Sequence, residues 1–308
     1  MVSTLRTLLN SALSSGSRKL YQRAWAVFNE FYRQFYYADD PIFPLTIPSL
    51  ALFISYLHAR QLAPSTIKSY LSAIGYVHKM KGLCDPTKAF LITKLLTALG
   101  RQGSSDIRLP ISQPVLHKLV GSLSHTNSSA FYRTLFSAMF LIAFYGFFRI
   151  GELAAKSASS GGAVVQYSNL RFLTQQGSVC MIKITITNFK HNTDHSPFDI
   201  LIAREDHLPL CPVQAMVEFC KLRGAHAGPL FCHSDSSPIT VGQFNAELKS
   251  CLNFCGLDTS RYKGHSFRIG AACHAADRGF SDAQIRALGR WKSDAFKLYI
   301  RLDSLSAN

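Results

Sequence analysis

Acidic side chains are scarce in this sequence. The 308 residues carry 18 Asp and Glu against 33 Lys and Arg, a formal net charge of +15 at pH 7. Charged residues make up only 17% of the chain, while 47% are hydrophobic and 12% aromatic, which excludes a disordered, charge-rich polymer. Long apolar runs are also missing. The longest uncharged apolar stretch, 134–148, is shorter than the ~20 residues a membrane span needs. The N-terminus, MVSTLRTLLNSALSSGSRKLYQRAW, turns polar at once and reads as no signal peptide. No CxxC pair occurs among the eight cysteines, so neither a disulfide framework nor a zinc site is expected. Cys251 and Cys255 lie one helical turn apart without a second ligand pair, and they read as reduced thiols. GxxxxGK[ST] and GxGxxG are absent, which argues against ATP and dinucleotide chemistry. There are no internal repeats, no low-complexity tracts and no obvious nuclear-localisation run.

What remains is a chain long enough for two domains, each able to bury its own core. Its positive charge is shared between them. Residues 1–105 hold 12 basic and 4 acidic side chains, and residues 106–308 hold 21 and 14. Such a surface favours a polyanion, nucleic acid first and an anionic membrane second.

Periodicity predicts helices over 17–35, 47–58, 66–82 and 85–99. In the first, Leu20, Trp25, Phe28 and Phe31 form the apolar face, with Arg18, Lys19 and Arg23 between them. In the fourth, Phe90, Leu91, Leu95, Leu96 and Leu99 form the stripe. The Gly- and Ser-rich stretch 100–110, GRQGSSDIRLP, reads as a linker. Helices resume over 114–122 and 130–155. The period then changes to the alternation of strands over 170–173, 179–187 and 198–203, an antiparallel three-stranded sheet joined by hairpin turns. Helices follow over 213–223, 241–255, 266–278, 281–288 and 293–302.

Four short signals carry chemistry. In FFRIGEL, 147–153, an apolar helix ends on Arg149 with Glu152 one turn on. A buried guanidinium needs a partner or an anionic ligand, and Glu152 is the structural alternative. In GHSFRIGAA, 264–272, His265 and Arg268 share a face at a helix start, where an anion is favoured. Small residues at 270–272 allow a close approach by a neighbouring helix. LGRWKSDAFKLYIR, 288–301, places Tyr299 in a basic segment after a Gly-Arg-Trp turn; an aromatic anchor for the last helix is the plainer reading. NFKHNTD, 188–194, puts Lys190 at a hairpin tip, where a solvated Lys is the plainer reading.

In the order Arg, hairpin Lys, His-x-x-Arg, Gly-x-Trp, Tyr, these signals resemble the active site of the tyrosine recombinases. Residues 262–301 resemble the eukaryotic Crypton-like branch of transposable elements, and the resemblance spans nearly the whole chain. It implies a mainly α (α+β) fold. A helical core-binding (SAM-like) DNA-binding domain would occupy 1–105, where APSTIKSYLSAI, 63–74, is typical. A phage integrase-like catalytic domain would occupy 106–308, mostly helical with a small three-stranded antiparallel sheet.

The resemblance implies a site-specific recombinase or integrase of double-stranded DNA, acting through a 3′-phosphotyrosine without metal, ATP or other cofactor. By resemblance Tyr299 is the nucleophile, and Arg149 and Arg268 grip the non-bridging oxygens. His265 accepts the tyrosine proton, Lys190 protonates the leaving 5′-oxygen, and Trp291 completes the set. DNA-binding candidates are Arg18, Lys19, Arg23, Lys68, Lys79 and Arg290. A monomer when free, a homo-tetramer on two DNA sites and nuclear localisation are also implied.

Three departures leave alternatives open. Many relatives read Ser-Lys-Thr-Asp in the hairpin, which puts Asn192, not Lys190, in the Lys register. Arg290, not Trp291, stands nine residues before the Tyr, where relatives carry His or Trp. Relatives often pass a C-terminal helix to a neighbouring subunit, and nine residues follow Tyr299 here. A catalytically inactive, transposon-derived DNA-binding protein and a type IB topoisomerase are the competing readings.

Overall fold

The computed structural model describes residues 12–36, 42–102, 108–189, 192, 194–205 and 210–300. The chain divides into two compact units, Met1–Asp106 and Ile107–Asn308.

The first unit is helical. Helix α1, Ser15–Phe35, starts where the Ser14 side chain accepts from the Ser17 N–H. Its buried stripe is Ala24, Phe28, Phe31 and Tyr32, at helical spacing. Leu20, expected on that face, is exposed, because it lies one turn before the buried stretch begins. Helix α2, Ile47–Ala59, brings Phe53 edge-on to Phe28, with ring centroids 5.0 Å apart. Helix α3, Pro64–Met80, opens on proline and carries the buried His78. That imidazole is fully used: Nε2 accepts from the Leu45 N–H, and Nδ1 donates to the Ile74 carbonyl.

The fourth helix starts later than its sequence suggests. Asp85 accepts from the N–H and hydroxyl of Thr87 and caps a 3-10 turn, Pro86–Lys88. Helix α4, Phe90–Gln102, follows. Its buried positions are Ile92 and Leu99, with Leu95 and Leu96 packed beside them, so Phe90 and Leu91 fall on the opposite face and are exposed.

The second unit opens with α5, Gln113–Thr126, and α6, Ala130–Tyr145. The single helix expected over 130–155 is broken. Phe147 adopts a left-handed φ of 52°. Its N–H bonds to the Phe144 carbonyl, and the Phe148 N–H reaches back to Ala143. This is a Schellman turn with phenylalanine where glycine is usual. A short helix, α7, Ile150–Leu153, follows with Arg149 at its N-cap.

The strands β1, Leu170–Gln175, β2, Ser178–Ile186, and β3, Phe198–Ala203, form an antiparallel sheet in the order β1-β2-β3. Ile182, Ile184 and Ile186 of β2 and Ile200 and Ile202 of β3 alternate into the core. Gln176 and Gly177 both have positive φ, the geometry that a two-residue hairpin turn requires.

Helices α8, Pro212–Arg223, α9, Val241–Phe254, α10, Gly264–Asp277, and α11, Asp282–Leu288, complete the unit. The last expected helix is instead a 3-10 segment, Asp294–Tyr299, and its expected continuation past 300 lies outside the described residues. Gly270 of α10 sits at a close backbone approach. A Cβ there would overlap the Ile111 carbonyl, because the extended segment before α5 runs against α10 and its Ile111 N–H bonds to Ser266. Among the described residues no helix is long and apolar enough to cross a membrane.

Candidate active site

Five of the sequence-derived candidates meet in the second unit. Arg149 is the N-cap of α7 and Glu152 its third residue. The Glu152 carboxylate accepts from the Arg149 Nη1 at 3.1 Å and from the Arg149 backbone N–H at 3.0 Å. Glu152 is buried, whereas the Arg149 side chain keeps 23% of its surface exposed. The ion pair offered as the structural alternative is therefore present, and the guanidinium still reaches solvent.

Arg268, one turn into α10, is fully buried. Its Nη1 donates to the Phe147 carbonyl and its Nη2 to the Gly289 carbonyl. Its guanidinium lies over the Trp291 ring, 4.2 Å from the centroid. Its Nε is buried without a partner among the described residues. Burial, with Arg149 and Arg290 as like-charged neighbours, lowers the Arg268 pKa to about 9.

The Gly-Arg-Trp turn is a second Schellman turn. The Arg290 N–H bonds to Ala287 and the Trp291 N–H to Arg286, and Arg290 has a φ of 55°. Gly289 is required by packing, since a Cβ there would run into the Trp291 ring.

Trp291 then lies between Arg268 and Tyr299, its ring centroid 5.6 Å from that of Tyr299. His265 approaches Tyr299 from another side, edge to face, with centroids 5.1 Å apart. Tyr299 ends the 3-10 segment and is half-buried, and its carbonyl accepts from the buried Cys273 thiol at 3.1 Å. Beside His265 opens a groove of about 540 Å³, with Lys249 and Lys263 among its lining residues.

Lys190 lies outside the described residues. Asn192, the alternative in that register, staples the base of the hairpin loop: its amide donates to the Thr187 and Ser196 carbonyls at 2.6 and 2.8 Å.

Arg290 requires a correction. Expected as a DNA contact, it has a side chain that is only 1% exposed. It donates to Glu152 Oε2 at 2.8 Å and to the Phe147 and Gly146 carbonyls at 3.1 and 3.3 Å. A left-handed backbone points it inward, where burial, partly offset by Glu152, lowers its pKa. The remaining DNA-binding candidates, Arg18, Lys19, Arg23, Lys68 and Lys79, are exposed on the first unit. Lys68 and Lys79 line one groove of about 450 Å³, where Lys79 pairs with Asp85 at 3.1 Å.

Sequence reasoning overlooked the Phe147 carbonyl, shared by Arg268 and Arg290, and the Cys273 thiol. The first had one signal, a glycine placed a residue before an aromatic pair at the end of an apolar helix. The second had none, because only the fold brings residue 273 against 299.

Chemically, three guanidinium groups share one carboxylate among the described residues, which leaves an excess of positive charge beside a tyrosine and an imidazole. Such a site suits an anion with several oxygens, held in the forked manner of Arg.

No family model matches the chain. The chain is 24% identical over 304 residues to an integrase/recombinase xerD homolog of Selenomonas ruminantium, covering 93% of this chain and 81% of that protein. Among solved structures it is similar to a lambda integrase dimer bound to a COC′ core site, with a TM-score of 0.64 at 13% identity, covering 97% of this chain and 75% of that one. It is also similar to XerH site-specific recombinase bound to palindromic difH substrate, with a TM-score of 0.65 at 14% identity, over 94% and 78% of the two chains. A third is the Tn1549 transposon integrase with transposon right end DNA, with a TM-score of 0.64 at 14% identity, over 96% and 93%. The fold is thus that of lambda integrase, and the sequence similarity to a xerD homolog extends over nearly the whole chain.

Proposed function

We propose that this protein is a site-specific DNA recombinase or integrase that cuts and rejoins strands through a 3′-phosphotyrosine. The observation that carries the reading is the convergence of His265, Arg268 and Trp291 on Tyr299, with Arg149 as a cationic neighbour of Arg268 and positive charge in excess. The Tyr299 oxygen attacks the scissile phosphorus and the P–O5′ bond breaks, leaving a 5′-hydroxyl. A second 5′-hydroxyl reverses the step on another strand, so bond energy is conserved and neither ATP nor metal takes part. Negative charge grows on the non-bridging oxygens, where preorganised donors act most strongly. Loss of one such donor typically costs about 10²–10³ in rate.

In this reading His265 takes the tyrosine proton, Lys190 gives a proton to the leaving oxygen, and Trp291 holds Arg268 and Tyr299 in register. The substrate is double-stranded DNA, contacted also by the basic side chains of the first unit. The protein is a monomer when free and a tetramer on two sites. Its origin is a Crypton-like element of a eukaryotic nucleus.

The test is a nicked duplex that loses the 5′-hydroxyl strand after cleavage and so traps the covalent complex. The wild-type chain should accumulate a denaturant-resistant DNA adduct. Tyr299→Phe, which removes one oxygen and keeps the ring, should form none while binding DNA within a few-fold of wild type. Absence of any adduct on ends from the parent element would favour a DNA-binding relic. Relaxation of supercoils without strand exchange would favour a topoisomerase.

A further inference from the structure

Arg290 is the buried cation that the recombinase reading leaves without a task. It stands where a phosphate contact was expected, but it faces the interior. Its guanidinium lies 5.3 Å from the Phe148 ring centroid and 5.9 Å from those of Phe189 and Phe198. Phe189 precedes the hairpin loop and Phe198 begins β3, so aromatic rings from the hairpin base close over it. The Phe147 and Gly146 carbonyls and Glu152 take its donors. The result is a cation that the fold holds still and turns away from solvent.

The partition of Glu152 shows what this cation does. One carboxylate oxygen, Oε1, bonds the Arg149 fork at a single nitrogen. The other, Oε2, serves Arg290 and the Arg149 backbone N–H. A carboxylate beside a lone guanidinium takes it in two parallel bonds, because that geometry is the strongest available to the pair. With Oε2 committed elsewhere, Arg149 is held at one point and its fork stays available.

We propose that Arg290 is a positioning residue which, by occupying Glu152 Oε2, keeps Arg149 from being clamped by that carboxylate and leaves its guanidinium free for the scissile phosphate. The proposal rests on the recombinase reading and deepens it. Arg290 itself touches neither DNA nor the nucleophile.

The experiment measures single-turnover adduct formation on the nicked duplex, with protein saturating, alongside DNA affinity and thermal unfolding. The variants are R290M, R290K, E152Q and the double variant E152Q/R290M. Methionine fills the aromatic cage but leaves Oε2 with only the Arg149 backbone N–H and room to accept a second donor, so R290M should slow cleavage by roughly 10²-fold, the cost of misplacing a reacting group's partner by about an ångström, while DNA affinity stays within a few-fold. E152Q alone should slow the wild-type chain. In the R290M background it should restore at least about tenfold of the lost rate, because a neutral amide grips Arg149 weakly. Recovery of rate at saturation is not produced by a gain in stability alone.

R290K offers one donor point in place of a fork and should lie between wild type and R290M. It decides the matter if R290M does not fold. The proposal is overturned if R290M, or in its place R290K, cleaves within twofold of wild type, or if the double variant is no faster than R290M. A wild-type chain that forms no adduct overturns the recombinase reading and this proposal together, an outcome distinct from normal cleavage by the variants.

Discussion

Arg290 donates from Nη2 to the Phe147 carbonyl at 3.1 Å, and both are left-handed residues of helix-ending turns. Each turn follows the same pattern, Gly-Phe-Phe at 146–148 and Gly-Arg-Trp at 289–291, with glycine one position before the left-handed residue. A left-handed non-glycine residue costs of order 1–3 kcal/mol. Hydrogen bonds to charged groups contribute about 1.5–3 kcal/mol each, and Arg268 and Arg290 both bond the Phe147 carbonyl. The cross-links therefore offset the strain and hold the two turns against each other.

That frame separates Arg149 from Arg268, the two arginines proposed to hold the scissile phosphate. Arg149→Ala and Arg268→Ala should each slow adduct formation by about 10²–10³. Only the second should also lower stability by several kcal/mol, since it leaves the Phe147 and Gly289 carbonyls short of a buried donor at about 1–3 kcal/mol each. Arg149 is partly exposed and Glu152 keeps Arg290, so Arg149→Ala should cost less than about 1 kcal/mol. Urea unfolding of both variants checks the contrast, and equal midpoints would refute it.

The lowered pKa of Arg268, about 9, sets an alkaline limit. The kcat/KM for cleavage should fall as pH rises through about 9, because the neutral form loses its hold on the phosphate. The stability term runs the other way. Between about 9 and the ordinary guanidinium value of 12.5, the unfolded chain binds a proton that the folded chain has released, so this residue's contribution to stability rises with pH. A rate profile level to about pH 10 would count against the assignment.

Lys190 and Asn192 can be told apart by the leaving group. Lys190→Ala should slow cleavage by about 10²–10⁴. A bridging 5′-thiolate leaves without a proton and should restore the rate. Asn192→Ala should also slow cleavage, by releasing the loop that its amide ties to Thr187 and Ser196, and the thiolate substrate should not restore it. Rescue of Asn192→Ala but not Lys190→Ala would reverse the register.

Lys68→Ala/Lys79→Ala should weaken binding evenly across DNA sequences and reduce the slope of log K against log salt by about 1–2, at close to 0.9 per phosphate contact. An unchanged slope in a salt titration would remove this groove from the DNA-binding surface.

The strands were legible because alternation of Ile with polar residues is local: β3 spans the residues its pattern indicates, and β1 and β2 differ only at their ends. Helices α1 and α2 were legible from the period of their apolar residues. The helix break at Phe147 was not, because the glycine sits one residue before the position that turns and the partners that hold the turn lie more than a hundred residues away. The face of α4 differs from expectation because tertiary packing buries Ile92 and Leu99, with Leu95 and Leu96 packed beside them, and so turns Phe90 and Leu91 outward.

By itself, the sequence determined the mostly helical architecture, the small antiparallel sheet and the order in which Arg149, His265, Arg268, Trp291 and Tyr299 follow one another. All of these are written in short-range pattern and spacing. Tertiary structure alone decided that Arg290 faces inward, that Glu152 divides its two oxygens between Arg149 and Arg290, and that Trp291 lies between Arg268 and Tyr299. The reason is physical: a buried charge goes where partners from distant segments converge, and no local pattern of residues encodes that convergence.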